Sequence, residues 1–312
     1  MKKLAAIFAL TISAACASRA QQPIPAAGEV FDLWPAGNIP GNITTKPESA
    51  SGKEPARRLT NVSRPRLELF RSASKEPTGL VIICPGGGYQ ILSADNEGFS
   101  IANWVAERGI SAAILWYRVP NNMKGALMDI QRAIRLARAN AKQWNIDPEK
   151  ICVMGFSAGA NLCARASTRY KTKEYAPIDA ADKLSAKPSH TCLIYPAYCD
   201  APTLRRLKIS PSAKYEPAPD YNAEYKLADN LSVDADTPPA FIVQTLADKK
   251  YVNASLAYFL ALKKAGAKAN LFLCDDGGHG YGLCARRPDL LVAMWPALFE
   301  KWLAANGFKA SK

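Results

Sequence analysis

From residue 67 onward the chain alternates between short, continuous apolar runs and stretches of helical periodicity. The runs cover residues 67–70, 80–84, 111–116, 151–154, 191–195, 240–245 and 269–274. Continuous apolar runs, rather than alternating ones, suit strands that are covered on both faces. Within 126–144, Ile130, Ala133, Ile134, Ala137 and Ala141 recur every three or four residues and make one apolar stripe on a helix. Arg132, Arg135 and Arg138 fall off that stripe and are expected on a solvated face. A second helix is predicted over 254–264, stopped by Gly266, and a last one over 290–305, which Pro296 should kink or break. Strand and helix in repeated succession predict an α/β fold: a doubly wound, mostly parallel sheet.

Two segments interrupt the rhythm. Residues 196–238, rich in proline and tyrosine, are expected as a small loop or cap insertion over the C-terminal edge of the sheet. Residues 21–66, rich in Pro, Gly, Ser and Lys, are expected as an extended lead-in to a domain spanning 67–312. Ahead of them, Lys2 and Lys3 precede an apolar stretch over 4–15 that is too short to span a bilayer. Ser18 and Ala20 then fit a cleavage site after Ala20, so 1–20 reads as a signal peptide and the protein as secreted or periplasmic. Cys16 offers lipoprotein attachment as an alternative. No later stretch is long and apolar enough for a transmembrane helix. The formal net charge of +13 favours anionic partners. Its lysines and arginines are spread along the chain, which speaks against a nucleic-acid partner. The sequence leaves oligomeric state open.

One motif carries chemistry. Gly155-Phe156-Ser157-Ala158-Gly159 follows the run at 151–154 and precedes a helical stretch over 160–168. A G-x-S-x-G between strand and helix holds a serine hydroxyl on a tight turn above the sheet edge, near the positive end of the helix. The chain has only two histidines. His279 lies between glycines after the run at 269–274, where a general base would stand. His190 precedes a run at its opposite end and reads as a surface or strand-entry residue. Asp248 follows the run at 240–245, so Ser157, Asp248 and His279 occur in nucleophile–acid–base order. Asp275 and Asp276 are alternative acids. Cys84-Pro85-Gly86-Gly87-Gly88-Tyr89 follows the run at 80–84, in the place of an oxyanion loop. Gly87, Gly88 and Ala158 are the candidate backbone donors. No metal site or cofactor motif is expected: there is no CxxC pair, and the glycine spacing fits neither phosphate-binding loop.

Removing Cys16 leaves seven cysteines. Cys84, Cys152, Cys192 and Cys274 lie in the apolar runs and are expected as core thiols. Cys199 and Cys284 both fall in loops after strands and are the one candidate disulfide pair.

Pro85-Gly86-Gly87-Gly88-Tyr89, Glu97-Gly98, Tyr117-Arg118-Val119-Pro120, Gly155-Phe156-Ser157-Ala158-Gly159, Ala247-Asp248 and Gly278-His279-Gly280 give this chain a family likeness. It resembles the secreted bacterial α/β-hydrolases of the acetyl esterase and feruloyl-esterase-like (BD-FAE-like) group, often described as acetylxylan esterases. The resemblance runs from about residue 59 to about 302. It implies an α/β-hydrolase fold with Ser157, Asp248 and His279 as the triad and Gly87, Gly88 and Ala158 as oxyanion donors. It further implies an acylated carbohydrate as substrate and no cofactor. Tyr89 and Asn161 become candidate substrate contacts. Ala160 and Asn161 stand where the family often has Gly and His, and Lys249 where it often has a second Asp. Glu97 and Arg118 match family positions without an assigned role. The expected activity is a serine esterase removing acetyl groups from plant polysaccharide or oligosaccharide. Its rivals are a feruloyl esterase, a small-molecule carboxylesterase, a peptidase, and a non-catalytic binder of acidic polysaccharide.

Overall fold

Each of the seven apolar runs forms a strand in the computed structural model, which describes residues 27–41, 43–209 and 221–309. The expected signal segment, with Cys16, lies outside the described residues. Along the chain the strands are β1 (Glu29–Asp32), β2 (Ser49–Ser51), β3 (Arg58–Thr60), β4 (Arg66–Phe70), β5 (Thr78–Cys84), β6 (Leu92–Ser93), β7 (Ser111–Trp116), β8 (Ile146–Phe156), β9 (His190–Ile194), β10 (Ala240–Thr245) and β11 (Ala269–Cys274). The α-helices are α1 (Ser100–Ala106), α2 (Met123–Ala139), α3 (Ala141–Trp144), α4 (Ala158–Thr168), α5 (Ala201–Ile209), α6 (Tyr221–Glu224), α7 (Val252–Ala265) and α8 (Trp295–Ala305).

Eight strands form one sheet in the order β1-β4-β7-β5-β8-β9-β10-β11. Pairings from β7 to β11 are parallel, while β1–β4 and β4–β7 are antiparallel. All residues of β5, β7 and β10 are buried, which is why their sequences are mostly apolar and do not alternate. Each fully buried Leu, Ile or Val contributes roughly 1.5–3 kcal/mol. The chain passes from β5 to β7 on one side and from β8 to β9 on the other, yet β5 and β8 are neighbours. That reversal opens a crevice beyond the C-terminal ends of β5 and β8, the usual place for a ligand in an open α/β sheet.

Several expectations need correction. Residues 21–66 are more than a lead-in: β1 adds an edge strand to the main sheet by pairing with β4, and β2 and β3 join β6 in a small antiparallel sheet. These strands are three or four residues long and mostly exposed or half-buried, so no apolar run announces them. Arg132 is not solvated. It is buried against Asp182, at 3.0 Å, and donates to the Leu33 carbonyl at 2.9 Å. Arg135 and Arg138 likewise donate to the backbone carbonyls of Leu184, Ser185 and Lys187. The helix 126–144 breaks at Asn140 into α2 and α3.

Gly266 caps α7 at φ 75°, as expected. Pro296 sits in the first turn of α8, where its missing N–H costs nothing, and the break falls ahead of it. The insertion at 196–238 carries α5 and α6, with residues 210–220 outside the described residues. All seven cysteines from Cys84 onward are free thiols, so Cys199 and Cys284 do not form the suggested disulfide. Cys199 is fully buried, with the Asn161 amide as its neighbour. Cys284 is held by the Arg287 carbonyl.

Candidate active site

The site is assembled from four loops that leave the C-terminal ends of β5, β8, β10 and β11. Ser157 follows β8 and is the N-cap of α4, with φ 52° and ψ −117°. A non-glycine residue there is strained, and the surrounding structure must hold it. Its N–H donates to Ile194 at 3.1 Å, and its carbonyl accepts from Ala160, Asn161 and Ala197. Gly155 allows the return of the chain: a β-carbon there would lie 2.3 Å from the Gly159 carbonyl oxygen. Strand and helix therefore meet backbone to backbone around the serine.

His279 Nε2 lies 2.8 Å from Ser157 Oγ, and His279 Nδ1 lies 2.7 Å from Asp248 Oδ2. Three side chains up to 122 residues apart thus form one hydrogen-bonded chain. The Asp248 side chain is buried at 3% exposure, while that of His279 is 32% exposed and reachable from solvent. Gly278 and Gly280 adopt φ of 68° and 77°, the turns that bring the ring back over the sheet edge. The Thr245 hydroxyl donates to the Gly278 carbonyl at 2.8 Å and ties the β10 and β11 loops together. Tyr195 meets the imidazole edge-on at 4.9 Å, and Tyr251 packs on it at 5.0 Å. Asp276 instead accepts from the Leu291 N–H, and Asp275 is exposed. His190 is the first residue of β9 at the opposite edge, bonded to Ser189 and Asn306, and burial lowers its pKa.

The glycine loop after β5 lies against the serine: a β-carbon on Gly86 would stand 2.9 Å from Ser157 Cβ. Gly87 and Gly88 both have positive φ, 133° and 64°. Among the described residues, neither amide donates to a backbone acceptor. Ala158 is the first residue of α4, where a helical N–H has no intrahelical partner. The glycine loop and the N-terminal end of α4 thus border the space beside Ser157.

Tyr89 and Asn161 do not present polar atoms to that space. Both are buried; the Tyr89 hydroxyl donates to Asn161 Oδ1 at 2.8 Å, and Asn161 Nδ2 donates to the Tyr198 carbonyl at 2.9 Å. Their side chains are spent on protein partners, which runs against the expectation that they contact substrate. Sequence reading missed Tyr195, Tyr198 and Tyr251. The Tyr251 hydroxyl donates to that of Tyr198 at 3.3 Å, and Tyr198 stands opposite Gly88. No local signal marks them, because each contact spans long stretches of chain. Arg118 is architectural. Its guanidinium pairs with buried Asp129 at 2.8 Å and also holds the carbonyls of Pro40 and Gly125.

No group of three His, Cys, Asp or Glu side chains forms a metal-type cluster among the described residues. No described helix is long and apolar enough to cross a membrane.

A protein-family model described as BD-FAE matches residues 67–200. An acetylxylan esterase of Xylanibacter ruminicola is 29% identical over 219 residues, covering 67% of this chain and 42% of that protein. Endo-1,4-beta-xylanase B of Butyrivibrio fibrisolvens is 31% identical over 211 residues, covering 64% of this chain and 32% of that protein. The chain therefore spans less than half the length of either relative. Among solved structures, an acetyl ester-xyloside bifunctional hydrolase from Caldicellulosiruptor lactoaceticus superposes with a TM-score of 0.74 at 30% identity, covering 93% of this chain and 100% of that one. An esterase of Thermogutta terrifontis, Est2, shares the fold at a TM-score of 0.64 and 21% identity, covering 91% of this chain and 96% of that one.

Proposed function

The chain belongs to the BD-FAE-like esterase group of the α/β-hydrolases, and from that premise we propose that it is a serine esterase that removes acetyl groups from plant polysaccharide or its oligosaccharides. The observation that carries this is the continuous hydrogen-bond path from Ser157 Oγ through His279 to Asp248. In the proposed reaction Ser157 Oγ attacks the ester carbonyl as His279 Nε2 takes its proton. Asp248 holds the imidazole in the tautomer that accepts at Nε2, and stabilises the imidazolium that forms. The oxyanion is received by the amides of Ala158 and of Gly87 or Gly88. Collapse of the tetrahedral intermediate releases the sugar hydroxyl, which takes the proton from His279. An acyl-enzyme remains. Water, deprotonated by His279, attacks the acyl carbon, and collapse breaks the bond to Ser157 Oγ, which takes the proton back from His279 as acetate leaves. Loss of one oxyanion donor costs roughly 3–4 kcal/mol of transition-state stabilisation.

The acetylated carbohydrate is supported by relatives named for acetylxylan, for xylan and for an acetyl ester-xyloside. Export by a signal peptide over 1–20 belongs to the same proposal, since the substrate is a polymer outside the cell. Acetate release from acetylated xylan tests it, with a Ser157→Ala variant as control. The expected result is release by the native chain, loss in the variant, and fluorophosphonate labelling of Ser157 only. Retained turnover in Ser157→Ala would overturn the mechanism. Ferulate release without acetate release would overturn the substrate.

A further inference from the structure

Glu97 is a buried carboxylate that the proposed reaction leaves unused. It lies in a short π-helical turn, Asp95–Phe99, packed beneath the glycine loop. The turn is anchored by Asp95, which pairs with the Arg57 guanidinium at 2.6 Å. No lysine or arginine pairs with Glu97 among the described residues. Its two oxygens are each taken by a different part of the site. Oε2 accepts from the Gly86 N–H at 2.7 Å, and Oε1 accepts from the Tyr195 hydroxyl at 2.8 Å. The Tyr195 oxygen in turn accepts from the Gly282 N–H at 3.1 Å. The Tyr195 ring also lies against the His279 imidazole. Gly86 begins the oxyanion loop, and Gly282 belongs to the loop that carries His279.

A carboxylate held in the interior without a lysine or arginine is costly, and burial raises the Glu97 pKa while its two donors and the nearby His279 imidazole hold it down. A glutamine could accept from only one of those donors, because its other terminus is itself an N–H donor. The geometry asks for two acceptors on one rigid group.

We propose that Glu97 is a positioning residue for the reaction, fixing the oxyanion loop through Gly86 and the base loop through Tyr195 and Gly282 so that both keep their distance to Ser157. This rests on the esterase function proposed above. The bonds of Glu97 and Tyr195 reach the two loops that serve the transition state. Weakening them therefore lowers kcat while KM changes little.

The test is steady-state hydrolysis of p-nitrophenyl acetate by native protein, Glu97→Gln, Tyr195→Phe and the double variant, with melting temperatures measured alongside. In Glu97→Gln an N–H faces either the Gly86 amide or the Tyr195 hydroxyl. The expected loss in kcat is about 100-fold, the scale set by a displacement on the order of 1 Å. KM should stay within about 2-fold, the mark of an interaction made only in the transition state. Tyr195→Phe keeps the Gly86 bond and should lose less. The double variant should lose less than the product of the two single losses, because both residues act in one chain. A lowered melting temperature with unchanged kcat in Glu97→Gln overturns the proposal. If that variant does not fold, Tyr195→Phe decides: full kcat overturns the proposal, and reduced kcat at unchanged KM supports it. Native protein that neither turns over p-nitrophenyl acetate nor labels with fluorophosphonate overturns the esterase function, and this proposal with it. An active native protein with unaltered variants overturns this proposal alone.

Discussion

The carbonyl oxygen of Cys84 lies 2.0 Å from the point where a β-carbon on Gly159 would stand, and that of Pro85 lies 2.6 Å from it. The end of β5 and the first turn of α4 are in backbone contact, and this contact sets the glycine loop beside Ser157. Backbone cannot rotate aside as a side chain can. Gly159→Ala is therefore expected to push α4 off the strand end, at a cost of about 1–3 kcal/mol, the scale of overpacking. Fluorophosphonate labelling of Ser157 should slow in the same variant. Unchanged labelling together with an unchanged melting temperature would show that the contact can relax, contrary to this account.

Arg118 and Asp129 form an ion pair at 1% and 0% side-chain exposure, and Asp129 also accepts from the Trp34 indole N–H at 2.8 Å. The pair joins the segment that follows β1, the segment that follows β7, and α2. Removing one partner strands a buried charge. Arg118→Met is expected to destabilise by about 3–5 kcal/mol in urea unfolding, and Arg118→Met with Asp129→Leu by clearly less. Equal losses in the single and double variants would contradict the pairing.

How far the chain could be read in advance follows from where its information is local. The buried strands announce themselves because both faces are covered, so β5 and β10 are apolar through their centres, at 80–84 and 240–243, without alternation. The Ser157 turn is legible for a similar reason: steric demands at Gly155 and Gly159 leave glycine as the residue that fits. That His279 and Asp248 meet Ser157 is legible from scarcity and order, since one of two histidines stands after a strand at the same edge of the sheet. The edge strand β1 was not, because Glu29–Asp32 is largely exposed and takes its structure from pairing with β4. Arg132 was misread because its neighbours Asp179 and Asp182 arrive from a separate loop. Tyr89 and Asn161 sit next to the reactive motifs in sequence, yet their polar atoms are spent on each other and on the Tyr198 carbonyl. Proximity along the chain identified the neighbourhood and not the direction of the side chains.

Asp248 makes the hydrogen bond to His279 Nδ1, and Asp275 and Asp276 do not. Asp248→Asn is expected to lower kcat for p-nitrophenyl acetate by about 10⁴-fold, since an amide there favours the wrong imidazole tautomer. Asp275→Asn should stay within a few-fold of native. A large loss from Asp275→Asn with little from Asp248→Asn would reassign the acid.

Asp200 stands just ahead of α5 at 0% exposure, and burial pushes its carboxyl up to about 6. One oxygen accepts from the Thr203 N–H at 3.2 Å and the other from the Thr203 hydroxyl. In the unfolded chain the same carboxyl titrates near 3.9. Between those two values the folded protein holds a proton that the unfolded chain has released. The folded state then binds more protons, so stability falls as pH rises through this window and stays lower above it. The difference is worth about 3 kcal/mol at most. Asn cannot ionise, keeps an acceptor for the Thr203 N–H, and serves ahead of a helix as Asp does. Asp200→Asn is therefore expected to gain stability over native protein at pH 7.5 and little or nothing at pH 4.5. Urea midpoints of both proteins at the two pH values measure this directly. A stability difference that is the same at both would mean that the carboxyl titrates alike in the folded and unfolded chains.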